Sequence, residues 1–344
     1  MEVQATNVLF KQIWEKGATW SVEVKQPMLQ VARDYTPLPR SLTEQDREEE
    51  GERERMEKKW SLSSLRGERD VPPELKFLIR KMDGGEVSTY LSGLGGGDKV
   101  ELRGPHYGFD VNRRLGDAGR VVFLAGGTGI APALQVVKAL LDGDKRRIEE
   151  GLVTGKEKRL PKVDIIWANR RRDDCRTCPR LESVTGKLDD GERGRILDHL
   201  AEIQKRYPGR VSVRCTVDEE RSFIDSRAVE GSLMAGPVSK AASDEAATDC
   251  WLHSQEAVAW RPATDIDAAK IKENDGVAEE DCRCIGGSGK NLLFVSGPEG
   301  FVEHFAGPKR WAKGAELQGP VGGVLGKLRA YNPDAMKDWL VLKL

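Results

Sequence analysis

A chain of 344 residues has room for two domains. Its formal net charge of −1 provides no basic field, which argues against a nucleic-acid partner. Charged residues make up 32% and hydrophobic ones 38%, so part of the chain should lie outside any core, and six cysteines spread from Cys175 to Cys284 do not resemble a small secreted disulfide framework.

No signal peptide is visible at Met1, and the first twenty residues lack the arginines of a transit peptide, so the chain reads as soluble. Trp20, Val22 and Val24 alternate, as do Leu29 and Val31, which predicts barrel-like strands. They lead into Arg33, Tyr35, Thr36 and Pro37. Arginine offers a fork of donors to a phosphate, tyrosine a flat face to a ring system, and threonine a hydroxyl to a ring nitrogen. An ordinary strand ending at a proline accounts for the same residues. Residues 44–70 are dominated by like charges and predict a solvated insertion.

Leu75, Phe77 and Ile79 predict the next strand, followed by Gly84, Gly85, Glu86, Val87 and Ser88. Taken alone, this glycine pair is a hairpin turn; before a helix it would cradle phosphate on backbone amides. Lys99–Val111 reads as a strand with Val100 and Leu102 inward, passing through Gly104 and Pro105.

The stretch Arg120–Leu141 organises the remainder. Val121–Ala125 is a short apolar run, as in a buried parallel strand, and Ala133, Val136, Val137, Leu140 and Leu141 recur at helical spacing. Gly126, Gly127, Thr128 and Gly129 lie between them, and Pro132 marks the helix start. Such a loop lets an anionic ligand approach bare amides. Its spacing is neither G-x-G-x-x-G nor a triphosphate loop.

Val163–Ala168 predicts a second buried strand ending at Asn169 and Arg170, Ile196–Arg206 a helix, and Val211–Val217 a third strand closing on Asp218, Glu219 and Glu220. Carboxylates there disfavour a 2′-phosphate, so NADH is expected over NADPH. Residues 225–290 read mostly as a flexible insertion. Asn291–Ser296 predicts the last buried strand, with Ser296, Gly297, Pro298, Glu299, Gly300 and Phe301 as its loop. The pair Cys175 and Cys178 lacks a second pair at zinc-site spacing, and the four histidines do not cluster, so no metal is expected.

Taken in order, Arg33-x-Tyr35-Thr36-Pro37, Gly85–Ser88, Arg103-Gly104-Pro105 and the GGTGIAP of Gly126–Pro132 resemble the ferredoxin reductase superfamily, notably its NADH-dependent cytochrome reductases. The resemblance implies an antiparallel FAD-binding β-barrel over 1–117 and a parallel-sheet nicotinamide-binding α/β domain over 118–344. It implies that Arg33 binds a flavin phosphate, Tyr35 and Pro37 lie by the ring system, Thr36 bonds near the reactive nitrogen, and Gly85, Glu86, Val87 and Ser88 hold the FAD pyrophosphate. NADH would be held by Gly126, Gly127, Thr128, Gly129, Pro132, Asn169, Arg170, Asp218, Gly297, Pro298 and Phe301. Tyr35, Thr36, Thr128 and Ser296 would flank hydride transfer, with Ser296 standing where the superfamily carries cysteine.

The tail, SGPEGFVEHFAGPK with Gln318–Gly326 beyond it, is similar to the fungal mitochondrial cytochrome c import factors. That likeness implies a mitochondrial protein of the inner membrane or intermembrane space, reducing haem iron beside the cytochrome c maturation machinery. It also leads one to expect a first barrel strand and a membrane anchor upstream of Met1, the anchor being the condition for membrane association. The rival reading is a catalytically weak flavin-fold assembly factor that docks on the haem-attachment machinery.

Overall fold

The computed structural model describes residues 2–4, 13–14, 17–39, 74–115, 119–149, 161–175, 200–201, 203–205, 207–234, 250, 252–260, 289–312 and 314–344. The charged stretch 44–70 lies outside them, as do Cys178, Cys282 and Cys284.

The N-terminal half contains β1 (Glu2–Gln4), β2 (Ala18–Gln26), β3 (Val31–Tyr35), β4 (Pro37–Leu38), β5 (Glu74–Phe77) and β6 (Glu101–Asp110). They form two antiparallel sheets, ordered β1-β5-β4 and β3-β2-β6. The alternation in β2 has a packing cause: Trp20 and Val22 are buried in one cluster with Leu75 and Phe77 of the other sheet. Helix α1 (Glu86–Ser92) follows Gly84 and Gly85, so the hairpin turn expected there is instead a helix entry. Val87 and Leu91, four residues apart on one face, bury against Val24 and hold it helical.

After α2 (Val111–Leu115), the chain enters β7 (Arg120–Gly126), α3 (Ile130–Glu149), β8 (Lys162–Asn169) and β9 (Val211–Val217). Helical residues at 200–201 and 203–205 fall within the helix expected over Ile196–Arg206. Of the stretch 225–290, α4 (Ser226–Met234) and α5 (Gln255–Ala259) are described and pack inward through Val229, Leu233 and Val258. Then come β10 (Asn291–Ser296), α6 (Glu299–Ala306), the hairpin β11 (Arg310–Ala312) and β12 (Ala315–Leu317), α7 (Gly323–Tyr331), α8 (Pro333–Met336) and β13 (Trp339–Lys343). The expectation that Asn291–Ser296 is the last strand is overturned. β13 pairs parallel with β10, and its five residues are all buried.

The parallel sheet runs β13-β10-β7-β8-β9. Both faces are covered, which is why its strands are continuous apolar runs. Val121, Phe123 and Ala125 of β7 face the cluster built with α3, while Val122 and Leu124 face the one built with α4, α6 and α7. The chain moves outward from β7 to β9, then returns to lay β10 on the other side of β7. The carboxyl ends of β7 and β10 therefore flank the point where strand order reverses, where open α/β sheets bind ligands.

The two halves meet along α3. Gln135, buried on this helix, accepts from the Trp20 backbone N–H at 2.9 Å and donates to the Pro37 carbonyl at 2.9 Å. Among the described residues no helix is long and apolar enough to cross a membrane.

Candidate functional site

One cleft of about 630 Å³ opens between the two halves. From the antiparallel side it is lined by Arg33, Tyr35 and Thr36 at the end of β3, by Gly85, Glu86, Val87 and Ser88 at the start of α1, and by His106 and Tyr107 of β6. The parallel side contributes Gly127, Thr128, Gly129 and Pro132 after β7, Arg170 after β8, and Ser296, Gly297 and Pro298 after β10. Tyr35 and Thr128 thus share one cavity.

Register explains the first wall. Val24 pairs with Arg33 and Val22 with Tyr35, which puts both side chains on one side of β3. Burial pushes the Tyr35 phenol above its ordinary range, and the Arg33 charge partly offsets this. Arg33 Nη1 donates to the Ala32 carbonyl at 2.9 Å and leaves the rest of its fork exposed. At the start of α1, the Ser88 hydroxyl accepts from Met82 N–H at 3.0 Å and donates to the Gly85 carbonyl at 3.1 Å. The hydroxyl therefore shapes its own turn; the Gly85 N–H, expected to cradle phosphate, instead donates to the Met82 carbonyl at 3.0 Å, which leaves the amides of Glu86, Val87 and Ser88 for an anion.

The glycine loops are built for two different reasons. Gly127 has φ +54°, and a Cβ there would meet nothing within 4 Å, so it gives a left-handed turn and bare backbone at the cleft wall. Gly129 serves packing instead: a Cβ would sit 2.3 Å from the Ser296 carbonyl oxygen. The two loops touch backbone to backbone.

Five expected residues, Gly126, Phe301, Pro37, Asn169 and Asp218, do not line the cleft. Phe301, in the first turn of α6, packs its ring under Gly126, where a Cβ would come within 2.9 Å of it. Pro37 is buried and engages Gln135 through its carbonyl. Asn169 is buried with its amide nitrogen unpaired, and Asp218 is exposed in the short turn after β9. Arg172 draws in the neighbouring acids: its backbone N–H meets Glu219 and its guanidinium pairs with Glu220. Of the three carboxylates expected to repel a 2′-phosphate, Asp218 alone is left outside these pairs.

Several residues escaped sequence reasoning. Trp167 on β8 donates its indole N–H to the Gly127 carbonyl at 2.8 Å and so fixes the left-handed turn. Arg80 lines the cleft and pairs with Asp174 at 3.2 Å, linking the two halves. Lys343, at the end of β13, also lines it. Its ammonium donates to the carbonyls of Pro308 and Pro320, each at 2.9 Å. Burial, with Lys309 and Arg310 nearby, lowers it to about 8. A lone tryptophan or lysine in an apolar run carries no local signal for such roles. No group of three or more metal-ligating side chains occurs among the described residues.

The cleft fits a flavin and a nicotinamide nucleotide on its own chemistry: an arginine fork and helix-entry amides for phosphates, a half-buried tyrosine face, and a left-handed glycine turn in open space.

Comparison with known proteins finds the following similarities. Residues 123–242 match the oxidoreductase NAD-binding domain family. NADH-cytochrome b5 reductase 1 of Kluyveromyces lactis is 32% identical over 149 residues, 42% of this chain and 46% of that protein. The cytochrome c mitochondrial import factor CYC2 of Saccharomyces cerevisiae is 34% identical over 108 residues, 30% of this chain and 26% of that one. The chain therefore spans less than half the length of these relatives. Among solved structures, the ferredoxin-NADP+ reductase of Plasmodium falciparum with 2′P-AMP aligns at 15% identity over 64% of this chain and 70% of that one, with a TM-score of 0.36.

Proposed function

We propose, from the chain's similarity to the oxidoreductase NAD-binding domain family and to NADH-cytochrome b5 reductases, that it is an FAD-dependent NADH oxidoreductase that passes electrons to a haem or cytochrome acceptor. One observation carries this reading: the residues suited to a flavin and those suited to a nicotinamide nucleotide line a single cleft. Held there, the flavin would supply the coupling of two-electron hydride chemistry to one-electron transfer.

The chain's own residues bind and orient. Arg33 and the amides of Glu86–Ser88 would hold phosphate, and Tyr35 and Thr36 would meet the ring system. Gly127–Gly129 and Gly297–Pro298 carry the nicotinamide nucleotide across the strand ends, with Thr128 and the Ser296 hydroxyl at its reacting edge. Arg170, which lines the cleft, and Asp218, in the turn after β9, would meet the far ribose. Asp218 favours NADH, because a 2′-phosphate beside it would place like charges together.

By the same reading the acceptor belongs to mitochondrial cytochrome c haem attachment, at the inner membrane or intermembrane space. The similarity to the yeast import factor supports this placement. Ser296, in place of the superfamily's cysteine, supports a second reading as a weakly active assembly factor. Purified protein separates the two. Visible flavin absorbance that bleaches anaerobically on adding NADH supports the reductase. A colourless protein that cannot be loaded with FAD sinks it.

A further inference from the structure

The hairpin β11–β12 forms part of the cleft wall through Lys309 and Glu316, which pair with each other at 3.0 Å. Little of it is buried: all three residues of β11 are exposed, and in β12 only Leu317 packs inward. Its base, by contrast, is drawn tight. The Gly322 N–H donates to the Ala306 carbonyl at 2.8 Å, and a Cβ on Gly307 would come within 2.8 Å of the Gly322 Cα. Gly319, at φ +65°, approaches Pro308 so closely that a Cβ would sit 2.8 Å from its carbonyl oxygen. The chain therefore leaves and returns through a narrow neck.

Lys343 closes that neck. Its ammonium donates to the Pro308 carbonyl before the hairpin and to the Pro320 carbonyl after it, each at 2.9 Å. One cation thus bridges the outgoing and the returning chain. β13 delivers it there: Lys343 pairs with Val295 of β10, one residue short of Ser296 in the cleft. Lys343 is itself clamped on the outer edge of the sheet. The Gln318 side chain donates to the Lys343 carbonyl and accepts from the Lys343 N–H, both at 2.7 Å. That exchange is the one a residue of a neighbouring strand would make. Gln318 belongs to the returning chain, so the clamp and the ammonium tie the same two segments together. Gln255 makes an equivalent exchange with Val341, two residues earlier on the same edge, and its side chain bonds neither side of the neck.

We infer that Lys343 and Gln318 are positioning residues that lock the β11–β12 hairpin in place as a wall of the cleft, and so set how tightly the cleft retains a nicotinamide nucleotide. The inference rests on the nucleotide reading of the cleft for its purpose; the lock itself is tested separately.

Hydrogen exchange at the amides of β11 and β12 reads the lock, and calorimetric titration of the full chain with NADH reads its effect, both without turnover. In Lys343→Met the hairpin amides should exchange at least about tenfold faster. NADH affinity should fall about fivefold. Lys343→Arg, which keeps a cation with several donors, should return both to within about twofold of wild type. Gln318→Leu should change both in the same direction as Lys343→Met. Gln255→Leu loses an equivalent pair of bonds from the same strand and should lower the denaturant midpoint, yet leave hairpin exchange and NADH affinity within about twofold of wild type. A merely structural role would make the two glutamine variants behave alike. Wild-type hairpin exchange in both Lys343→Met and Gln318→Leu, equal acceleration in Gln255→Leu, failure of Lys343→Arg to recover, or faster exchange with unchanged NADH affinity would overturn the inference. Wild-type protein that binds no NADH, with the exchange pattern as expected, would sink the nucleotide reading of the cleft and leave the lock standing.

Discussion

Replacing Gly129 by alanine tests the idea that the two glycine loops form one rigid unit. The added Cβ would lie 2.3 Å from the Ser296 oxygen, 2.6 Å from its carbonyl carbon and 2.9 Å from Gly297 N. All three are backbone atoms, so no rotamer change relieves the clash. Carbon and oxygen pack at about 3.5 Å, so the loops must part by roughly 1 Å. They cannot do so freely, because β7 and β10 are paired up to Ala125 and Ser296. Overpacking of this kind costs about 1–3 kcal/mol. Gly127→Ala is the control: its Cβ enters open space, and its cost is that of a left-handed residue, about 1–2 kcal/mol. Denaturant unfolding should place Gly129→Ala below Gly127→Ala in stability. Calorimetric titration with NADH should show a larger affinity loss for Gly129→Ala, because both walls of the cleft shift. A Gly129→Ala protein that unfolds within about 0.5 kcal/mol of wild type and binds NADH normally would refute the reasoning.

Trp167→Phe keeps the ring and removes the bond to the Gly127 carbonyl, so NADH affinity should fall about fivefold, as expected for one lost hydrogen bond of about 1 kcal/mol, with little change in unfolding. Asp164→Ala should cost about 3–5 kcal/mol in denaturant unfolding, because it leaves the buried Arg120 guanidinium without its carboxylate. Its NADH affinity should stay near wild type, since Asp164 sits near the amino end of β8, away from the cleft. Lys343 carries a pH signature. Its folded-state value of about 8 lies below the ordinary 10.5, so between these the unfolded chain holds more protons and stability rises with pH. In Lys343→Met that rise should be smaller, as measured by unfolding free energy across this window.

Much of this architecture follows from local pattern. Alternation at Trp20, Val22 and Val24 marked a half-buried antiparallel strand, and the apolar runs of Val121–Ala125 and Leu292–Val295 marked strands covered on both faces. Side-chain period reports burial wherever one element is long enough to show it. The loops following these elements could therefore be placed at strand ends before any contact was known.

What the pattern left open were the roles of single residues whose partners lie far along the chain. Gln135 reads as a polar interruption of a helix, yet it joins positions 115 and 98 residues away. Gly129 reads as ligand-facing backbone, yet Ser296 is what forbids its side chain. β13 was hidden because WLVLK is too short to tell strand from helix by period. Each of these depends on which distant segment the fold brings alongside, and a residue's own neighbours in sequence carry no record of that.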